Sequence, residues 1–254
     1  MNSSAQSAIF KSPELKPGEQ IDDLQLNSLK VIQKTDAFRF GTDSVLLADF
    51  VKLKRNSRVI ELGSGCGVIS LLMYGHNPEI RIDAVELQHE IAEMSLRSIS
   101  MNSLENVISI KEGDLRNAWK LFGAGIYDTV VCNPPYYEPA SGAVSADKSV
   151  SAARTLEDIT INEICQSAFK LLKSGGRFSV VFPAKCLFEL MSEMEKNRLA
   201  PKRVRLVYPT INHIPKIALI DAVKQGGAQL DWLPPLILQN EDGTYTKEWH
   251  RIYG

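Results

Sequence analysis

Short apolar runs of five or six residues recur along the chain, each followed within two residues by a glycine, a proline or an acid. The stretches between them carry apolar residues at helical spacing. Arg58–Leu62, Arg81–Val85, Val107–Lys111, Tyr127–Cys132 and Arg177–Phe182 read as strands, and Val68–Tyr74 as a helix after the first of them. Thr160 and Glu163 form the sequence signature of a capping box for a helix running to Leu172, which Gly175-Gly176 closes. Strand and helix alternate from Arg58 to about Asn197, the pattern of an α/β protein with a doubly wound, mostly parallel sheet. Two late strands, Val204–Tyr208 and Ile217–Val223, are expected to add an antiparallel edge. Upstream, residues 1 to about 20 are polar and read as a tail, and Leu24–Gln33 reads as a small hairpin turning at Asn27-Ser28. The expected organisation is a tail and hairpin over 1–36, one main domain over 37–225 and an extension over 226–254 packed on that domain.

The run Tyr127–Cys132 ends in Asn133-Pro134-Pro135-Tyr136. Proline lacks an N–H and fixes φ, so the strand stops at Asn133, and the residue before a proline is held extended. A stiff amide oxygen, a backbone carbonyl and an aromatic ring then sit at the C-terminal edge of the sheet, where open α/β sheets bind ligands. Together they make a socket for a planar group bearing an NH2. A simple turn after a strand is the alternative reading of the same four residues.

The strand Arg58–Leu62 runs into Gly63-Ser64-Gly65-Cys66-Gly67, a loop in which alternate glycines allow a tight turn and close approach of a ligand. A dinucleotide fingerprint would place its third glycine at position 68, which is Val68, and the loop lacks the lysine of a phosphate-binding P-loop. Glu61 beside it disfavours a pyrophosphate and suits a cationic or amine-bearing ligand. Glu86 closes the next strand nineteen residues after Gly67, near where a carboxylate grips ribose hydroxyls. Gly113-Asp114 follows the third strand, with an acid able to bind an amino group.

Taken together, these motifs resemble a class I S-adenosylmethionine-dependent methyltransferase acting on a planar amino group, across roughly residues 35 to 225. The resemblance implies a Rossmann-like, doubly wound seven-stranded sheet. It also implies that Glu61, Gly63, Gly65 and Gly67 surround the methionine part of the cofactor, Glu86 and Leu87 the ribose, and Gly113, Asp114 and Leu115 the adenine, with Asn133 touching cofactor and substrate. Phe38 to Ala48 (FRFGTDSVLLA) is similar to a segment of bacterial enzymes that methylate adenine N6 in the anticodon loop of valine tRNA. There Phe40, Thr42 and Asp43 belong to a flap over the cofactor; Thr42 or Asp43 also reads as the N-cap of a helix over Ser44–Val51. The catalytic set is then Asn133, Pro134, Pro135 and Tyr136. The family's usual Ala-Arg-x-Glu continues here as Ala153-Arg154-Thr155-Leu156, without the acid, and leaves Arg154 for phosphate.

With 254 residues and 44% hydrophobic content the chain can bury one sizeable core. No apolar run approaches the roughly 20 residues of a membrane span, and the N-terminus lacks a secretory core, so a cytoplasmic protein, expected to be a monomer without a metal, is the reading. Cysteines 66, 132, 165 and 186 have no metal-ligand spacing and are expected reduced; Cys66 reads as a small space-filler or, alternatively, a nucleophile. A formal net charge of −1 does not announce a nucleic-acid partner. Arg198, Lys202, Arg203, Arg205 and Lys216 nevertheless form an acid-free cluster in which Lys202, Arg203 and Arg205 are candidate RNA contacts, or ordinary solvated charges. The Ser- and Ala-rich stretch Glu138–Ser151 reads as a substrate loop.

The expected chemistry is methyl transfer to adenine N6 of tRNA. The alternatives are N5-methylation of a glutamine in a protein such as a release factor, whose enzymes share the same tetrapeptide, and a module that holds the cofactor without catalysis. The flap segment favours RNA over protein, and no separate target-reading domain is left over for DNA.

Overall fold

The computed structural model describes residues 13–35, 41–134 and 159–253. Strands β3 (Arg58–Leu62), β4 (Arg81–Glu86), β5 (Ile108–Glu112), β6 (Tyr127–Cys132), β7 (Leu172–Pro183), β8 (Leu199–Tyr208) and β9 (Ile217–Lys224) form the seven long members of one sheet. The two-residue strands β10 (Asp231–Trp232) and β11 (Leu236–Ile237) both pair with β8, giving the order β10-β8-β9-β7-β6-β3-β4-β5. β9 runs antiparallel to both β7 and β8, so the antiparallel strand lies one place in from β8 and not at the margin. The remaining pairings are parallel.

Helices cover both faces, which is why the central strands are mostly apolar and do not alternate cleanly. On one side α1 (Thr42–Phe50) and α2 (Val68–His76) pack over Val59, Ile82, Val131, Val181 and Leu219, joined by Trp249 and Ile252 of α7 (Lys247–Tyr253). On the other, α4 (Ala118–Phe122), α5 (Ile161–Leu171) and α6 (Leu187–Lys196) enclose Ile60, Leu62, Val130, Phe178 and Ile220. The hairpin of β1 (Glu19–Asp23) and β2 (Lys30–Lys34) turns at Asn27 and Ser28, both at positive φ, and is held outside the sheet by α3 (His89–Met101). Arg97 binds Glu19 at 2.6 Å, and Ser98 Oγ accepts from the Ile32 N–H at 2.9 Å. Glu19 and Gln20 are therefore strand and not tail.

Some boundaries differ from those expected. α1 begins two residues earlier, with Gly41 as N-cap and no side-chain cap, so Thr42 and Asp43 lie inside its first turn. The capping box at Thr160 and Glu163 is present, but α5 passes directly into β7. Gly175-Gly176 forms an irregularity within that strand, where a Cβ on Gly176 would stand 3.1 Å from the Tyr127 carbonyl.

One buried charge ties the late strands to the first helix. Asp221 of β9 is fully buried; it accepts from Arg203 Nε of β8 at 2.6 Å and from Arg177 of β7 at 3.1 Å. Arg203 also donates to the Phe50 carbonyl at 3.1 Å and lies over the Phe50 ring, anchoring the last turn of α1. Removing one partner of a buried pair leaves an uncompensated charge, at a cost of about 3 kcal/mol. Arg203→Ala should lower unfolding stability by that order in urea titration. A loss below about 0.5 kcal/mol, the level of a surface substitution, would refute this role.

Candidate functional site

Register across the parallel strands assembles the site. Leu62 of β3 pairs with Val85 of β4 and with Cys132 of β6, so Gly63, Glu86 and Asn133 stand side by side at the next position. Glu86 pairs in turn with Glu112 of β5, which brings Gly113 and Asp114 to the same edge. The Gly113 N–H donates to the Glu86 carbonyl at 2.9 Å.

The glycine loop is fastened to this edge by its own backbone. Gly63 and Ser64 both donate to the Val85 carbonyl, at 2.9 and 3.0 Å, and Gly65 N–H donates to Glu86 Oε2 at 2.9 Å. Gly63, Gly65 and Gly67 take φ of +71°, +53° and +82°, a region that disfavours side chains. Gly67 is further restricted, since a Cβ there would lie 2.4 Å from Ser95 Oγ. Gly63 and Gly65 instead face open space, with nothing within 4 Å of a Cβ.

Two carboxylates lie beneath the loop. Glu86 is buried, which raises its carboxyl above the usual range against the opposing N–H bonds of Gln88 and Gly65. Those bonds occupy two of its roughly four lone-pair positions, leaving others for a ligand's hydroxyls. Glu61 is buried on the α2 side, and the Ser70 hydroxyl donates to it. Burial pushes its carboxyl up to about 8, with the Glu86 charge adding to the effect and Ser70 opposing it. Glu61 is thus a mostly protonated group supporting the loop from below, not the exposed anion that its place before the glycines suggests. Burial also pushes the Cys66 thiol up to about 12, which leaves it no thiolate for nucleophilic work.

Burial opposes the charge of Asp114, but hydrogen bonds and attraction from Arg116 outweigh it and hold the carboxyl below its usual range. It accepts from Arg116 Nε at 2.8 Å and caps the 3-10 turn Leu115–Asn117. Leu87 follows Glu86, and Leu115 is buried behind Asp114. Asn133 is half-buried, and its Nδ2 donates to Ser44 Oγ of α1 at 3.2 Å; its amide oxygen is not used by the described residues. Pro134 is buried. Thr42 and Asp43 precede Ser44 on the same helical turn. Ser44, buried and touching Asn133, was not singled out from sequence; a small polar residue on an otherwise apolar helix face was its one signal. Phe40, Pro135, Tyr136, Arg154 and the Glu138–Ser151 loop lie outside the described residues.

The basic cluster is not gathered at this edge. Lys202 donates to the carbonyls of Gly227 and Gln229, Arg203 is held by Asp221, and Arg205 binds Glu248 at 2.6 Å and the Pro234 carbonyl at 3.0 Å. Internal anions and carbonyls fill the role expected of phosphate, because β8 lies between β9 and the C-terminal segment.

The cofactor class implied by the motifs fits these residues. Ser64 Oγ is buried without a partner among the described residues, Glu86 has lone pairs to spare, and Gly63 and Gly65 open onto free space. Residues 33–197 match the family described as Methyltransferase small domain. The chain is 30% identical over 217 residues to the tRNA1(Val) (adenine(37)-N6)-methyltransferase of Serratia proteamaculans (strain 568), covering 85% of this chain and 82% of that one. A protein of the same name from Flavobacteriaceae bacterium (strain 3519-10) is 28% identical over 194 residues, covering 75% and 79%. Among solved structures, a predicted O-methyltransferase from Agrobacterium tumefaciens aligns with a TM-score of 0.68 at 20% identity, over 84% of this chain and 95% of that one. TYW2 of P. horikoshii, solved in complex with MeSAdo, aligns at 0.59 and 15% identity, over 83% and 73%. At these identities the structures speak for the fold alone.

The Glu61 carboxyl gives a pH signature. Its pKa rises from 4.5 to about 8 on folding, so the native state binds the extra proton between those values. The contribution is complete below the unfolded pKa and is lost as pH rises through the folded one, at about 1.4 kcal/mol per unit. Glu61→Gln keeps the acceptor for Ser70 and removes the titration. Its stability relative to wild type should therefore grow between about pH 5 and pH 8 in urea unfolding; parallel curves would refute the assignment.

Proposed function

Because this chain belongs to the methyltransferase small-domain family, and with it to the tRNA1(Val) (adenine(37)-N6)-methyltransferases, we propose that its substrate is the N6 amino group of an adenine in the anticodon loop of valine tRNA. The family membership itself makes the chain an S-adenosylmethionine-dependent methyltransferase. The observation that carries the finer reading is Asn133. It stands one residue past the end of β6, beside Gly63, with its Nδ2 tied to Ser44 and its oxygen left for an incoming N–H.

When bound, S-adenosylmethionine supplies an electrophilic methyl group. Glu86 would receive its ribose hydroxyls, the glycine loop with Glu61 behind it would hold the methionine part, and Gly113 to Leu115 would border the adenine. An adenine amino nitrogen is a poor nucleophile because its lone pair is delocalised into the ring. Asn133 Oδ1 and the Pro134 carbonyl each accept one of its N–H groups, draw the nitrogen toward tetrahedral geometry and aim the lone pair. Both acceptors oppose the positive charge that develops on nitrogen, an oxyanion hole with its sign reversed. As the N–C bond forms and the C–S bond breaks, the methylated nitrogen becomes strongly acidic and gives its surplus proton to water, so no strong base is needed; a base in a loop is also extruded at less cost than one in a duplex. Tyr136 supplies the stacking face in this scheme.

Asn133→Ala should leave the affinity for S-adenosylhomocysteine close to wild type and cut methyl transfer to tRNA by about 10²-fold or more. Calorimetry and transfer of a radiolabelled methyl group measure the two; wild-type turnover in the variant would sink the mechanism. Total tRNA and release factor offered side by side decide the substrate, and label entering only the protein would overturn the RNA reading.

A further inference from the structure

A cleft of about 350 Å³ opens at the same sheet edge, lined by Thr42, Asp43, Pro183, Val207, Lys216 and Leu238 among others. Its floor is set by register: Ile217 pairs with both Pro183 of β7 and Val207 of β8, at the C-terminal ends of those two strands. The cleft and the candidate socket share one turn of α1. Thr42 and Asp43 line the cleft, and Ser44 next to them accepts from Asn133.

Its walls are largely apolar apart from Thr42 and Asp43, and among the described lining residues Lys216 is the one cation. Of the five basic residues between positions 198 and 216, Arg198 and Lys202 lie toward the opposite edge, where β8 begins, while Arg203 and Arg205 are paired within the protein. Lys216 alone of the five stands at the cleft; it is exposed, and its ammonium has no carboxylate partner among the described residues. The turn leading to it leaves Ile211 and Ile214 exposed at 60% and 82%, unusual for isoleucines next to a functional edge unless something covers them.

We propose that this cleft is a second nucleotide subsite, taking the base that adjoins the target adenine in a single-stranded RNA loop, with the phosphodiester between the two on Lys216. This rests on the RNA reading above. A flat base can bury its faces against Pro183, Val207, Pro209, Ile217 and Leu238, and the one lysine, which shares the lining with the single acid Asp43, suits one phosphate. A strand whose target base enters the Asn133 socket would pass the first turn of α1 to reach the cleft. A glutamine side chain on a protein loop has neither a neighbouring flat ring nor a phosphate to place there.

The test uses the full-length protein and a stem-loop RNA carrying the target adenine. Lys216→Ala should raise KM for the RNA about tenfold and flatten the slope of log affinity against log salt by about 0.7, the value for one single-strand phosphate contact. Removing the base that flanks the target, by an abasic nucleotide, should weaken wild-type binding about tenfold through lost apolar burial. Leu238→Trp fills the cleft, so in that variant the same abasic change should cost nothing further. An unchanged rise in melting temperature with S-adenosylhomocysteine verifies that each variant is folded. If tRNA is methylated but the abasic and Leu238→Trp losses simply add, or the salt slope is unmoved in Lys216→Ala, the subsite is wrong and the RNA reading stands. If label enters release factor and not tRNA, the RNA reading falls and takes the subsite with it.

Discussion

Everything at the candidate site depends on one line of register across β4, β3 and β6. Parallel strands deliver their following loops to the same edge. The pairing of Val85, Leu62 and Cys132 makes Glu86, Gly63 and Asn133 neighbours without any of the three touching in sequence. A shift of one residue in either pairing would turn each side chain to the opposite face. The interior strands resist that shift because they are buried on both sides. The same line also explains the desolvated acids: a strand-end carboxylate that faces the loop loses water on every side, which is why burial dominates at both Glu61 and Glu86.

The second constraint acts at a distance. Asp221 joins β7, β8 and β9 through two arginines, and Arg203 carries that clamp to the last turn of α1. The first turn of the same helix holds Ser44 against Asn133. A helix of nine residues thus connects a buried ion cluster at one end to the amide of the candidate catalytic residue at the other. Packing alone would locate the helix within the slack of apolar contacts, whereas directional hydrogen bonds at both ends set its axial position.

What could be read from the sequence was local. Arg58–Leu62 and Tyr127–Cys132 occupy the bounds that the apolar runs give them, and the capping box at Thr160 needs only a four-residue window. The glycine loop and the acids ending successive strands were visible for the same reason. What was missed is non-local. β10 and β11 have two residues each, too few to carry a period, and exist because β8 offers an edge. Gly175-Gly176 looks like a helix stop, but the strand continues through it, with Gly176 close to the Tyr127 carbonyl where a Cβ would be crowded at 3.1 Å. The acid-free cluster around Arg203 failed as a guide because its counter-ions, Asp221 and Glu248, come from distant positions in the chain.

That failure changes how a nearly neutral chain can meet RNA. A formal charge of −1 counts every acid as ionised, yet Glu61 sits at about 8 and is mostly protonated near neutrality. Asp114 is matched by Arg116 beside it, so two of the acids near the socket contribute little net field. The strong guanidinium charges on β8 are spent on the fold. Among the described residues Lys216 is the one of the five cations between positions 198 and 216 left at the cleft, so under the proposed RNA reading apolar contact would have to work beside counterion release. The exposed isoleucines and the apolar cleft beside Lys216 are the surfaces on which such contacts can form. Under the proposed reading, a target held this way would be selected by whether its bases can unstack, which favours a loop over a duplex.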